Sequence, residues 1–234
     1  MTPEILSEFR NILVVAPHAD DETLGAGGAV ARLVREGRHV TVAVMTGLGP
    51  APHPFVTAEE ITTVRTEFGE AMAVLGVQQT LFHDLPTTML DALPQHVVNK
   101  VAAETLRQVN PDLILLPFEH DLHRDHEILN YAFRVALRPH LPANRKPHAV
   151  LAYETATETH LQSPHLRPSF EPNLWIDVSD DIEVKIEALS KFRSQIAPAP
   201  ALRSLEALRA LATWRGAQIG VRAAESFMIL RLVG

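Results

Sequence analysis

Short runs that are apolar almost throughout alternate with longer stretches whose apolar residues recur every three or four places. Asn11–Ala16 (NILVVA), Val40–Met45 and Asp112–Pro117 (DLILLP) offer almost no polar face to solvent, so each reads as a strand buried on both sides. Thr80–Phe82 and Ala149–Tyr153 are further strand candidates. Between them, Thr23–Glu36 carries Leu24, Val30, Leu33 and Val34 at helical spacing and stops at Gly37. Glu59–Leu75 reads as a second helix, opened by Thr57 as N-cap and closed by Gly76. Leu93–Val109, ending before Pro111, and Asp125–Leu137 complete the helical set. Strands buried on both faces and alternating with helices predict an α/β fold, a Rossmann-like doubly wound and mostly parallel sheet with helices on both faces and right-handed crossovers. Ligands of such sheets bind beyond the carboxyl ends of the strands.

After residue 153 the pattern loosens. Thr155–Pro172 is polar and dotted with proline, and reads as a loop. A strand is predicted at Leu174–Val178, a helix at Asp180–Arg193 with Ser179 as N-cap, a break at Ala197–Pro200, a helix at Ala201–Trp214 and a final strand at Ser226–Val233. There is no internal repeat, and the Ala-Pro stretch is too short for a linker. The expectation is a single domain spanning 1–234, its core at 1–153 and a C-terminal extension at 154–234 completing the pocket.

Composition narrows the function classes. The chain has 234 residues, 46% of them apolar, enough for a large core without disulfide or metal staples. With no cysteine, disulfide frameworks, thiolate zinc sites and cysteine nucleophiles are excluded. A net charge of −7 argues against a nucleic-acid surface. The N-terminal stretch lacks the basic and apolar regions of a signal peptide, and no apolar run spans a membrane. These features lead us to expect a cytoplasmic protein acting on a small molecule.

Histidine is abundant, with 12 residues, and two clusters stand out. Pro17-His18-Ala19-Asp20-Asp21-Glu22 follows the first strand directly, at the edge where ligands bind in this architecture. Acidic residues there complement a helix dipole, which accounts for the acids but not for His18. The second cluster, His120-Asp121-Leu122-His123-Arg124-Asp125-His126, follows the strand at Asp112–Pro117 on the same edge. The two are therefore predicted to converge. A catalytic zinc keeps three protein ligands and an open position for water, and His18, Asp21 and His126 would make a His-Asp-His set. Asp20 is then spare to accept the water's proton and pass it to a leaving amine. His123, as imidazolium oriented by Asp125, would stabilise a tetrahedral oxyanion. The reaction class is metal-assisted amide hydrolysis.

His18-Ala-Asp-Asp-Glu22 together with Asp121-x-His123-x-Asp125-His126 resembles the PIG-L/LmbE-like N-acetylglucosaminyl deacetylase family. Weaker matches run along nearly the whole chain: Gly27-Gly28, Thr46-Gly47, Arg65-Thr66-Glu67, Leu75-Gly76, Asp84-Leu-Pro86, Lys185 to Gln195 with its Ser-Gln end, and Arg222 to Arg231 with its Ala-Glu-x-Phe pattern. The resemblance implies a zinc-dependent hydrolase that removes the N-acetyl group from an N-acetylated amino sugar or its conjugate. It places the metal (Zn2+, or Fe2+ according to cellular supply) on His18, Asp21 and His126, the base on Asp20, and a supporting pair on His123 and Asp125. It also implies that Arg65 and Asp84 hold sugar hydroxyls or an attached group. Ala19 and Arg124 stand where the family often has proline, and Leu48-Gly49-Pro50 where it often has a glutamate near substrate.

Two other readings compete. A non-haem iron enzyme also uses two histidines and a carboxylate, though usually on a β-barrel. A non-catalytic nucleotide- or sugar-binding module of Rossmann type would bind ligand regardless of chelation. Gly25-x-Gly27-Gly28 is not a phosphate loop, because those glycines fall inside a helix and read as close packing on the sheet. His53 in the Pro50–Thr57 loop is expected to be exposed, and Trp175 and Trp214 to lie in the core. His39, His83, His96, His140, His148, His160 and His165 receive no function. Association into a homo-oligomer is left open.

Overall fold

The computed structural model describes residues 5–50, 52–139 and 147–233. Ala51 of the Pro50–Thr57 loop, His140 and the start of the N-terminal stretch lie outside the described residues. The elements run β1 Asn11–Ala16, α1 Asp21–Arg35, β2 His39–Gly47, α2 Ala58–Leu75, β3 Gln79–Pro86, α3 Gln95–Val109, β4 Leu113–Pro117, α4 Arg124–Ala136, β5 Ala149–Tyr153, α5 Ala156–Thr159, β6 Leu174–Asp177, α6 Ile182–Leu189, α7 Leu205–Ala217 and β7 Ala224–Leu232. The strands form a seven-stranded sheet in the order β3-β2-β1-β4-β5-β7-β6. The pairs from β3 through β5 are parallel, and β7 is antiparallel to both its neighbours. This is the α/β architecture expected.

Both faces of the sheet are covered because successive side chains of a strand point to opposite sides. Ile12 and Val14 point into the core layer shared with α1, α2, α6 and α7, while Leu13 and Val15 point into the layer shared with α3 and α4. The strand order reverses between β1 and β4, so the loops leaving their carboxyl ends open beside one another. Both histidine clusters span those loops and the first turns of the helices that follow, α1 and α4.

Helix α1 lies close against the sheet. A Cβ on Gly25 would stand 2.2 Å from Cδ2 of Tyr153, which is why a side chain is absent there. The C-terminal extension grips the same helix. Lys185 Nζ donates to the Leu24 carbonyl at 2.8 Å, and Glu225 accepts from the Gly28 and Ala29 amides at 2.9 and 2.7 Å. Lys185 and Glu225 pair with each other at 2.5 Å, both buried. Two weak sequence matches, around Lys185 and around Glu225, thus meet in one interlock.

Several sequence expectations need correction. Strand β3 is longer than Thr80–Phe82: it is an edge strand in which the polar pairs Gln79-Thr80 and His83-Asp84 flank Leu81-Phe82, so no unbroken apolar run marks its ends. Ser179 does not cap α6: its amide and hydroxyl both donate to Asp177 Oδ1, and Asp181 takes the N-cap position. The helix stops at Leu189, and the following turn carries Ser194 to the buried Glu67 carboxylate, which accepts from its amide at 3.0 Å and its hydroxyl at 2.6 Å. Helix α7 begins at Leu205, with Ser204 as N-cap accepting from the Ala207 amide at 3.1 Å. Trp214 is 56% exposed rather than core, with the Arg215 guanidinium 4.7 Å from its ring. Trp175 is partly exposed and donates to Gln218. His53 is half-buried: it pins its loop by bonding the Thr87 carbonyl at 2.9 Å while accepting from the Phe55 and Val56 amides.

Glu154, just beyond β5, ties α7 and β7 together. Arg215 donates to it at 2.6 and 2.8 Å, Ser226 at 2.5 Å, and His160 lies 2.8 Å away. Burial alone would raise this carboxyl, but His160, Arg215 and Ser226 outweigh burial and hold it at about 2, against 4.5 ordinarily. A depressed carboxyl contributes stability that is present above the unfolded value and lost as pH falls through the folded one. Acid unfolding followed by circular dichroism should therefore show stability falling between roughly pH 4.5 and 2. Glu154→Gln should flatten that limb by on the order of 3 kcal/mol. An acid limb of the same steepness in Glu154→Gln would refute this role.

Candidate active site

Helix α1 starts one step after the turn that leaves β1. Asp20 takes the N-cap position, yet its carboxylate caps nothing. Asp21, fully buried, folds back so that Oδ2 accepts from the His18 amide at 2.9 Å and lies 3.0 Å from His18 Nδ1. The second cluster arrives on α4. His123 is the N-cap, its Nδ1 accepting from the Asp125 amide at 3.2 Å, and His126, fully buried, sits one turn in. Its Nε2 lies 3.1 Å from Asp21 Oδ2. The expected His18, Asp21 and His126 set is thus brought to one point, with one ligand atom from each within 4.8 Å of the others.

Each imidazole is oriented from behind by a carboxylate. Asp121 Oδ2 lies 2.8 Å from His126 Nδ1, and its other oxygen accepts from Thr159 at 2.6 Å. Asp125 Oδ2 lies 3.2 Å from His18 Nε2 and accepts from the Thr88 amide at 2.7 Å, while Oδ1 accepts from Leu90. A cation at the nitrogens facing Asp21, His126 Nε2 and His18 Nδ1, would leave each ring to donate its other N–H to Asp121 or Asp125. His126 Nε2 and Asp21 Oδ1 are buried with no hydrogen-bond partner among the described residues. Orphaned buried donors and acceptors are costly, and these converge. The residues therefore fit a divalent cation with nitrogen and oxygen ligands. A second group, His18, His123 and Asp125, is also close enough, but it is less buried and its Asp125 carboxylate is already taken by two backbone amides.

Electrostatics agree. Burial opposes a charged His18, but bonds to Asp125 and Asp21 win and raise it to about 9. Burial likewise opposes His126, and the charge of Asp21 with the bond to Asp121 lifts it to about 10. The pocket is built to hold positive charge at that point. Asp20 is pushed to about 6 by burial and by the neighbouring Asp21 charge, with Arg203 acting against both. His123 is lowered by burial and by His18.

Two roles shift from the sequence reading. The Asp125 carboxylate orients His18, not His123. His123 is a neutral imidazole, since its Nδ1 accepts a helix amide and Nε2 is left as the N–H donor. The rings of His18 and His123 lie 4.5 Å apart.

A cavity of about 700 Å3 opens over this point, its wall including Asp20, Arg65, His123, Ser194 and Arg203. Arg65 pairs with Asp84 at 2.7 Å rather than with Glu67, and the Leu48 amide donates to the same Asp84 oxygen. Gly47 is required beneath them, because a Cβ there would lie 2.2 Å from Asp84 Oδ1 and 2.5 Å from Arg65 Nη2. Arg65 therefore reaches the cavity, with Asp84 behind it. Asp121 was legible in the motif, five positions before His126, but had no assigned role. Arg203 carried no signal, since nothing in its neighbourhood marks it as a partner of Asp20.

The family profile described as PIG-L, GlcNAc-PI de-N-acetylase, matches residues 13–137. The chain is 31% identical over 197 residues to a probable N-acetyl-alpha-D-glucosaminyl L-malate deacetylase 2 of Bacillus cereus, covering 80% of this chain and 84% of that one. It is 26% identical over 237 residues to a diacetylchitobiose deacetylase of Thermococcus kodakarensis, covering 95% and 84%. Among solved structures, the conserved protein TT1542 of Thermus thermophilus superposes with a TM-score of 0.75 at 25% identity, covering 96% of each chain.

Proposed function

Since this chain belongs to the PIG-L family of de-N-acetylases, a hydrolytic N-deacetylase of N-acetylglucosamine-type substrates, we propose that it removes acetyl from an N-acetylglucosamine conjugate with zinc held by His18, Asp21 and His126. The observation that carries this reading is the pair of imidazoles, each backed by a carboxylate, aimed at one buried aspartate. When bound, zinc supplies Lewis-acid polarisation of the amide carbonyl and a more acidic water.

The chain's own residues do the rest. Asp20, on the cavity wall beside His18, accepts a proton from the attacking water and delivers it to the amine as the C–N bond breaks, giving acetate and a free amino sugar. His123 donates its Nε2 hydrogen to the carbonyl oxygen as negative charge builds there. Asp125 and Asp121 hold the ligand imidazoles in register. Arg65, fixed by Asp84, binds hydroxyls of the sugar or its attached group. The attached group is the variable part, since the named relatives differ in it, and Val56 and Thr57 at the end of the Pro50–Thr57 loop line the cavity it would enter. We read residues 1–234 as one functional unit, working in the cytoplasm. Among the described residues no helix is long and apolar enough to cross a membrane.

The test is acetate release from a panel of N-acetylglucosamine conjugates. Chelation should abolish turnover, and added zinc should restore it without oxygen uptake. Turnover that survives chelator and complete metal removal would refute the metal assignment.

A further inference from the structure

Arg203 comes from the C-terminal extension and is supplied by neither histidine motif. Its backbone is fixed on both sides: its carbonyl accepts from the Ala197 amide at 3.2 Å, and the next residue, Ser204, is the buried N-cap of α7. The guanidinium is held from three directions. Nη1 donates to Asp20 Oδ2 at 2.6 Å, Nε donates to Thr157 of α5 at 3.1 Å, and Nη2 lies 3.7 Å from Glu158. The side chain is 22% exposed, and it lines the same cavity as Asp20 and His123.

Asp20 makes this contact informative. An aspartate at a helix N-cap ordinarily turns its carboxylate onto the first-turn amides. Here it bonds none of them, so the arginine, not the helix, sets its orientation. A planar guanidinium fork fixes the plane and direction of a carboxylate in a way that a flexible ammonium does not.

We propose that Arg203 is a positioning residue for the deacetylation: it holds Asp20 through Oδ2 and so aims the other carboxylate oxygen at the attacking water. During turnover the proton leaves the water for that free oxygen and then passes to the amine nitrogen, while the arginine keeps its charge and its contact throughout. The proposal rests on Asp20 being the base. It predicts that the base depends on a segment more than a hundred positions away in the chain, joined to it across the top of the sheet.

Arg203→Ala, Arg203→Lys and Asp20→Asn are assayed for kcat and KM, with zinc content and thermal melting recorded for each. Misplacing a catalytic group costs on the order of 10²-fold, so kcat of Arg203→Ala should fall by about that factor with KM nearly unchanged. Added guanidinium ion should restore part of the lost rate in Arg203→Ala and none in Asp20→Asn. Arg203→Lys should fall between wild type and alanine, and it decides the matter if the alanine variant does not fold. Wild-type kcat in either arginine variant, with Asp20→Asn inactive, overturns the proposal and leaves the base assignment standing. So does a rise confined to KM, which would make Arg203 a substrate ligand. Full activity in Asp20→Asn overturns the base assignment and this proposal together.

Discussion

Asp20→Asn should lower kcat by about 10²- to 10⁴-fold, the range that a positioned general acid–base supplies. The substitution keeps the shape of the side chain and leaves an oxygen to accept from Arg203, so the fold should be nearly undisturbed. KM should change little, because the carboxylate acts on water and on the departing nitrogen rather than on the sugar. Metal content must stay at the wild-type level, which separates loss of the base from loss of the neighbouring proposed ligand Asp21. A zinc-loaded Asp20→Asn enzyme within tenfold of wild type would remove Asp20 from the reaction. The effect should exceed that of His123→Ala, since one hydrogen bond to a developing oxyanion is worth about 10²- to 10³-fold.

The largest loss of stability is expected from Glu225→Ala. Removing one partner of a buried ion pair costs about 3–5 kcal/mol, because the other is left as an uncompensated charge. Here Lys185 would be stranded, and the Gly28 and Ala29 amides would lose their acceptor as well. Against a typical total of about 5–15 kcal/mol, that brings the protein close to unfolding at physiological temperature. Denaturant titration of the metal-free protein measures the loss directly. The double variant Lys185→Met/Glu225→Leu should recover much of it, since the buried charge is gone. A loss in Glu225→Ala below about 1 kcal/mol would mean that water reaches the pair.

The core of this fold was readable because β1, β2, β4 and β5 are buried on both faces, and unbroken apolar runs have few other uses. The convergence of His18, Asp21 and His126 was readable for a related reason. A histidine has no business at a helix entrance on packing grounds, so His18 and His126, placed after two strands that the topology makes neighbours, pointed to one cation. What could not be read was decided by contacts between distant segments. Asp125 was assigned to the adjacent His123 on proximity in sequence, whereas its carboxylate turns to His18, more than a hundred positions back, under the direction of the Thr88 and Leu90 amides. Helical spacing continues past Leu189, yet α6 stops there and the chain turns to bring Ser194 to Glu67 on α2. Ser179 has the chemistry of a cap and directs it to Asp177 instead. Arg203 looked like any surface arginine until the fold laid it on Asp20.

Strand β7 follows every other described strand in the chain, yet it lies inside the sheet, between β5 and β6. During synthesis, β5 must therefore wait with its hydrogen-bonding edge bare, and β6 must wait with no strand to join. An unpaired edge is a template for pairing with foreign strands. The nascent protein carries that hazard until the β7 segment clears the ribosome. Because the same segment delivers Glu225 to α1, anchoring of that helix and closure of the sheet become a single late event.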